Sequence, residues 1–208
     1  MSSKKPYLIG IAGNIGVGKT TVTTKMAEKL GWQPYFESVI DNPYLDDFYK
    51  DMKRWGFNLQ IYFLAHRFKS QKEIMEAGQH AIQDRTIYED VEIFARSLYE
   101  QGNINDRDYS TYRDLFYNMV PYLPKPDVII YLRASVDTLM HRISLRGRDF
   151  EQSIPRDYIT YLNHAYERWM NEAKKEFSVL EINADETDYV NGDNDLDALI
   201  EQIRRYCP

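Results

Sequence analysis

Eight consecutive residues, Gly13-Asn14-Ile15-Gly16-Val17-Gly18-Lys19-Thr20, have the types and spacing to cradle a polyphosphate. They fill the pattern G-x-x-x-x-G-K-[ST] at every position. Glycines let successive backbone N–H groups turn inward toward phosphate oxygens, and the N-terminus of a following helix adds partial positive charge. In such a loop Lys19 lies along the β- and γ-phosphates and the Thr20 hydroxyl holds Mg2+. The pattern needs a strand before it and a helix after it. Residues 7–12 form a short apolar run of strand character, and Thr21 opens a helical stretch, 21–30, that stops at Gly31. The stretch therefore implies binding of a nucleoside triphosphate.

Other side chains carry chemistry that such a loop can use. Glu37 closes a second short strand, 34–37, before Asn42-Pro43 opens a helix. A carboxylate there could accept a proton from an acceptor hydroxyl; taken alone, a solvated loop acid is the simpler reading. Asp84-Arg85 ends a third strand, 81–84. Asp84 suits Mg2+ beside Thr20, and Arg85 suits a transferring phosphoryl group, although a surface ion pair accounts for the dipeptide equally well. Arg142 and Arg146 share a helix face, then Gly147 loosens the backbone and Arg148 follows. Such arginines fit a lid that closes over triphosphate, or a basic helix end that complements the macrodipole.

Residues 59–68, Leu-Gln-Ile-Tyr-Phe-Leu-Ala-His-Arg-Phe, are too apolar for a surface helix. Gln60 and Arg67 stand two turns apart on one side of it and need partners, since an unpaired buried polar group costs roughly 1–3 kcal/mol. Helical spacing also puts Asp90 and Phe94 on one face. Gln, Arg, Asp and Phe together could read a nucleobase by edge hydrogen bonds and a stacking surface; satisfied core polar groups are the alternative, and spacing alone does not bring them together.

The elements that must position these groups alternate along the chain. Strands at 7–12, 34–37, 81–84, 128–132 and 178–182 are separated by helical stretches near 43–54, 57–78, 87–101, 107–119, 135–146, 155–176 and 195–206. That alternation predicts an α/β fold, a five-stranded parallel sheet with helices on both faces, in one domain spanning residues 1–208. Ligands of such sheets gather beyond the carboxyl ends of the strands, where Glu37, Asp84 and Arg133 fall. The net charge of −6 is spread along the 208 residues rather than blocked, which argues against a nucleic acid polymer as partner. A lone cysteine, Cys207, excludes an intrachain disulfide and fits a cytoplasmic setting. The apolar run after Lys4-Lys5 is too short for a signal peptide, and no run approaches the roughly 20 residues of a membrane span.

Taken together, these motifs resemble the deoxyribonucleoside kinase family, especially its bacterial deoxyadenosine kinase branch. The resemblance covers about residues 7–175: the loop 13–20, then Glu37-Ser38-Val39 with Asn42-Pro43-Tyr44, then residues 59–64 with Arg67, then residues 84–90, then Arg142-Ile143 with Leu145-Arg146-Gly147-Arg148. Residues 158–162 with Tyr166 and Trp169 resemble the helix after the family's lid. The resemblance implies a P-loop kinase fold with a lid at about 142–155. It makes Glu37 the base for the 5′-hydroxyl, Lys19 and the loop the holders of ATP phosphates, and Thr20 with Asp84 the organisers of Mg2+. Arg85 belongs at the reacting centre, and Arg142, Arg146 and Arg148 in the lid clamp, with Arg142 also against the ATP base. Gln60, Arg67 and Asp90 read the nucleobase and Phe94 stacks on it, while Tyr49 and Glu151 bind the sugar 3′-hydroxyl. Asp188-Tyr189 resembles the loop that holds the adenine of ATP. Three departures stand out: Asp84 where animal members carry glutamate, Asn42 where some members carry tryptophan, and Phe150 within the lid.

The resemblance implies ATP-dependent 5′-phosphorylation of a deoxyribonucleoside by a homodimer, with residues 98–99 and 112–122 as a candidate dimer surface. The Arg67–Asp90 pair resembles the arrangement in members accepting purines and cytosine rather than thymidine, and residues 60–64 with Asp84-Arg85-Thr86 lean toward deoxyadenosine, with deoxyguanosine and deoxycytidine as secondary substrates. A nucleoside monophosphate kinase would share the loop and the lid but need further arginines for the acceptor's phosphate. A nucleotide sensor without turnover would have no use for Glu37, Asp84 and Arg85.

Overall fold

The computed structural model describes residues 5–37, 42–151, 153–189 and 194–208, and of Phe150 the backbone alone; Ser38 and Val39, part of the motif after Glu37, lie outside the described residues. Five strands, Leu8–Ala12 (β1), Gln33–Tyr35 (β2), Ala81–Asp84 (β3), Val128–Arg133 (β4) and Val179–Asn183 (β5), pair in parallel in the order β2-β3-β1-β4-β5. Every residue of β1 is buried, as are the first five of β4. Side chains alternate between the two faces, so both faces are covered there, as the continuous apolar runs require. Ile9, Ile11 and Ile130 are each 0% exposed; truncating one of them to Ala costs about 2–5 kcal/mol. Gly10 permits a close approach: a Cβ there would stand 2.4 Å from Thr86 Cγ2, so a bare backbone lets the turn after β3 pack onto β1.

Register gathers the three strand ends that carry chemistry. Ile11 pairs with Asp84 and Tyr35 with Gln83, so the loop leaving β1, the Asp84-Arg85 turn leaving β3 and the segment leaving β2 emerge side by side. The second strand is shorter than the expected 34–37 and stops at Tyr35. It is the sheet edge, and its only neighbour turns away at Arg85, whose φ is +70°, leaving Phe36 and Glu37 no ladder to join. Glu37 therefore stands two residues past the strand.

The loop 13–20 opens onto α1, Lys19–Leu30, which starts two residues earlier than expected and ends at Gly31 in the left-handed region. The expected helix 43–54 is two elements, α2 (Leu45–Lys50) and the start of α3 (Met52–Ala77). The break falls at Asp51, whose side chain accepts from the Arg54 N–H at 2.9 Å and caps α3. The expected helix 87–101 is interrupted: α4 (Ile87–Glu89), a π-helical turn (Asp90–Ala95), then α5 (Arg96–Glu100). Such turns concentrate at functional sites. Four further helices, α6 (Asp106–Met119), α7 (Val136–Arg146), α8 (Arg156–Ala173) and α9 (Asn194–Ile203), fall close to expectation. Among the described residues no helix is long and apolar enough to cross a membrane.

Candidate active site

A cavity of about 340 Å³ opens beyond the carboxyl ends of β1, β2 and β3. Ile15, Gly16, Lys19 and Thr20 form its floor, Glu37, Asp84 and Arg85 line it from the strand ends, and Tyr49, Gln60, Asp90 and Phe94 from α2, α3 and the π turn. Arg146 at the end of α7 and Arg148 and Glu151 just after it also line the cavity. Loop, strand ends, α3, π turn and residues 146–151 thus meet at one place.

At the floor, Gly16 needs its φ of +85° and its missing side chain, because a Cβ would lie 2.9 Å from the Leu139 carbonyl oxygen. Lys19 Nζ donates to the carbonyls of Gly13 at 2.9 Å and Asn14 at 3.1 Å. Burial, reinforced by the Arg85 charge, lowers its pKa to about 8 against the pull of Asp84, Glu37 and Glu89. The Thr20 hydroxyl donates to Asp84 Oδ2 at 2.6 Å, while Asp84 Oδ1 is buried with no hydrogen-bond partner. A hydroxyl and a carboxylate with an unused oxygen are hard donors, the kind a magnesium ion takes. Among the described residues no cluster of three or more His, Cys, Asp or Glu offers a metal site built from protein alone, so an ion here would depend on phosphate oxygens too.

Glu37 is held between two guanidinium groups: Arg67 Nη2 donates to its Oε1 at 2.7 Å and Arg85 Nε lies 3.0 Å from the same oxygen. Burial works to raise its pKa, but Arg85, Arg67 and Lys19 outweigh it and hold the carboxyl at about 2. It is ionised throughout the physiological range. Arg85 itself is only 3% exposed and takes a backbone conformation rare for any residue but glycine. The conformation is over-determined: its N–H donates to the Ile11 carbonyl, Nη1 to the Tyr166 hydroxyl at 2.7 Å and to Glu89 Oε1 at 3.3 Å, and its guanidinium carbon lies 4.5 Å over the Phe94 ring. One face of Phe94 is therefore taken by Arg85.

On the α3 side, Gln60 is buried on the cavity wall and its Oε1 has no partner. Arg67 is committed to protein groups, donating to Asp90 Oδ2 at 3.3 Å, to the Asp84 carbonyl at 3.1 Å and to Glu37. Its charge fixes two carboxylates from behind the wall. Burial is the largest influence on Asp90 and, with the like charge of Glu37, lifts its pKa to about 6 although Arg67 and Arg85 oppose the shift. Tyr49 lies in the wall, and its hydroxyl is driven well above the usual phenol range by burial and by the neighbouring Tyr158 and Glu151. Phe36, Phe63 and Tyr158 complete an apolar wall.

After α7, Arg146 makes a two-pronged contact with Glu151, Nε donating at 2.8 Å and Nη2 to the other oxygen, and Arg148 stands 3.5 Å from the same carboxylate. The repulsion among these cations is relieved by an internal acid. Arg142 instead bridges the loop to the segment after β5, donating to the Val17 and Ala184 carbonyls at 2.8 Å each.

The remaining expected residues hold the loop or stand apart. Asn14 donates to the Ile159 carbonyl and to Asn163 on α8, and its Oδ1 accepts from the Ile15 N–H. Val17 is in the core, Gly18 caps α1, and Thr21 is half-buried in its first turn. Asn42 accepts from the Tyr44 N–H in a local turn. Tyr189 packs into the hydrophobic core, and the exposed Asp188 donates its N–H to Asp195; neither borders the cavity of the other residues.

Two residues of the site received no role from sequence reasoning. Glu89, 0% exposed, accepts from Gly13 N, Thr86 N and Oγ1, Arg85 and the Tyr166 hydroxyl. The signal was present in the capping box Thr86-x-x-Glu89. Tyr166 on α8 carries no local signal of its partners.

The deoxynucleoside kinase family model matches residues 9–208. The chain is 43% identical over 201 residues to deoxyadenosine/deoxycytidine kinase of Bacillus subtilis (strain 168), with 96% of this chain and 92% of that protein covered. It is 45% identical over 175 residues to deoxyadenosine kinase of Dictyostelium discoideum, covering 84% and 71% respectively. Its fold matches a structure of deoxyadenosine kinase from M. mycoides with bound dATP at a TM-score of 0.83 and 33% identity, covering 95% of this chain and 99% of that one. With the loop, the strand-end charges and Arg146 and Arg148 meeting at one cavity, the chain belongs to the deoxynucleoside kinase family.

Proposed function

We propose that the protein transfers the γ-phosphoryl group of ATP to the 5′-hydroxyl of a deoxyribonucleoside, with deoxyadenosine preferred and deoxycytidine and deoxyguanosine as secondary substrates. The phosphates of ATP lie on the loop 13–20 with Lys19, and Glu37 accepts the 5′-hydroxyl proton. Arg85 holds Glu37 in place and neutralises the transferring group; phosphoryl transfer asks for alignment and charge compensation more than covalent chemistry. Thr20 and Asp84 hold Mg2+, which supplies charge neutralisation on the phosphates when bound. Arg146 and Arg148 close on the triphosphate and Arg142 braces the loop. Tyr49 and Glu151 receive the sugar 3′-hydroxyl, and Phe94 stacks on the base with the ring face that Arg85 leaves open.

One observation carries the choice of base. The wall ends in acceptors, the unpartnered Gln60 Oε1 and the Asp90 carboxylate. Adenine and cytosine present an exocyclic amino donor at such an edge, whereas thymine presents a carbonyl, and a polar edge left unpaired is strongly discriminated against. The names of sequence relatives span deoxyadenosine, deoxycytidine and deoxyguanosine kinases, so they leave the choice among these three bases to the wall itself. Purified protein assayed with ATP and Mg2+ on the four deoxynucleosides should give the highest kcat/KM on deoxyadenosine and the lowest on thymidine. Preference for thymidine would overturn the base wall.

We also propose a homodimer. Within residues 98–99 and 112–122, Leu98 and Tyr112 belong to the core, while Leu115, Tyr117 and Tyr122 are 42%, 46% and 77% exposed on and just after α6. Those three are the candidate contact. Light scattering should return twice the chain mass, and the monomer mass would refute the proposal.

A further inference from the structure

We propose that Glu89 and Tyr166 are positioning residues for phosphoryl transfer, locking the first amide of the phosphate loop and the guanidinium of Arg85 to one buried carboxylate oxygen. The inference rests on the assignment of Arg85 to the reacting centre, and extends it to two residues that do not border the cavity.

The geometry is unusual in how much converges on one atom. Glu89 Oε1 accepts from Gly13 N at 3.2 Å, from Arg85 Nη1 at 3.3 Å and from the Tyr166 hydroxyl at 2.7 Å. Its other oxygen is taken by Thr86, from the backbone N–H at 2.7 Å and the hydroxyl at 3.1 Å. A helix cap needs the second set alone. The first set joins β1's loop, the turn after β3 and α8, elements that meet only in the folded chain.

Burying a carboxylate completely is costly unless it is paired and hydrogen-bonded. This one sits below a cavity in which charge must be placed to a fraction of an ångström, and it touches the two groups whose relative position matters most there. Arg85 also needs the support. Its left-handed backbone persists only where its surroundings over-determine it, and Tyr166 closes that arrangement by accepting from Arg85 Nη1 while donating to Glu89. The helix that carries Tyr166 follows the lid segment and also holds Asn14 through the Ile159 carbonyl and Asn163. One side of α8 thus fixes the loop at Asn14 directly, and at Gly13 through Glu89.

A positioning role predicts a split between turnover and binding. Glu89→Gln, which removes the charge and sets an amide donor among donors, should lower kcat by about 10–100-fold, the scale found for groups that orient a first layer of ligands. KM for nucleoside and for ATP should stay within about threefold in that variant, since no cavity wall is touched. Tyr166→Phe removes one hydroxyl and no charge; it should stay folded with a melting temperature lowered by a few degrees and lower kcat by about fivefold, as one member of a shared network. In an Arg85→Lys background Tyr166→Phe should cost no more than about twofold further, because groups that act as a unit are not additive, while Glu89→Gln keeps only the part of its loss that runs through Gly13. Turnover within twofold of the parent in folded Glu89→Gln and Tyr166→Phe would overturn the proposal, as would losses fully additive with Arg85→Lys. Should Glu89→Gln fail to fold, Tyr166→Phe and its double variant with Arg85→Lys decide the matter. Full turnover in Arg85→Lys alone would instead sink the assignment of Arg85.

Discussion

The charges around Glu37 and those along residues 146–151 both crowd the cavity, yet they are held in opposite ways. Glu37, Arg67, Arg85 and Glu89 come from β2's exit, α3, the β3 turn and α4, and each ion pair among the first three crosses from one element to another. The side chains of Arg67 and Arg85 are each 4% exposed. Arg146 and Arg148 are 34% and 32% exposed and share one acid, Glu151, a few residues along the same segment. Charges in the first region are oriented by the fold before any ligand arrives, which is the form of electrostatic catalysis that costs no reorganisation at the moment of reaction. Those in the second have exchanged nothing with the core. A phosphate can replace Glu151 as their partner, so they suit binding and closure rather than chemistry.

If the difference is real, variants in the two regions should fall on different kinetic parameters. Glu37→Gln should have the largest effect, lowering kcat by about 10²–10⁴-fold with nucleoside affinity little changed, as for loss of a general base; steady-state kinetics beside a binding titration separates the two. Arg85→Lys should lower kcat by about 10²–10³-fold, comparable to losing one preorganised donor. In the lid, Glu151→Gln should raise nucleoside KM by about tenfold, the scale of one hydrogen bond to a charged group, and lower ATP KM by freeing Arg146 and Arg148. Movement of the two KM values in the same direction would break the comparison.

The smallest effect concerns pH. Asp90, lifted to about 6, is ionised above that value and gains a proton as pH falls through it, whereas Glu37, held at about 2, stays ionised. The acid limb of kcat/KM for deoxyadenosine should therefore fall near pH 6, at most tenfold per unit, and Asp90→Asn should abolish it. A limb that persists in that variant would belong to another group.

Much of this was legible because it is local. The phosphate loop is eight contiguous residues, and β3 ended at Asp84 as its pattern requires. Glu37 was placed at a strand end by residue type alone; that the strand stops two residues earlier depends on Arg85 turning its neighbour aside, a backbone feature without a sequence mark in an arginine. The π turn across Asp90–Ala95 was hidden for a similar reason, since an apolar period of about four residues reads as ordinary helix. Tyr166 was noticed as part of a motif, but its partner Glu89 lies 77 positions away, and only the folded topology brings them together. Arg67 illustrates the reverse: its burial was anticipated, while its commitment to Glu37 and Asp90 rather than to the open cavity appears only in three dimensions.

The central claim is that the Glu37 carboxylate meets the sugar alcohol at the point of transfer. A crystal structure with deoxyadenosine, Mg2+ and a non-hydrolysable ATP analogue tests it most directly. A Glu37 oxygen should lie within about 2.6–3.2 Å of the 5′-oxygen, with Arg85 still against the carboxylate and the adenine on Phe94. A 5′-oxygen out of hydrogen-bond reach of Glu37, facing another acid or open solvent, would contradict it.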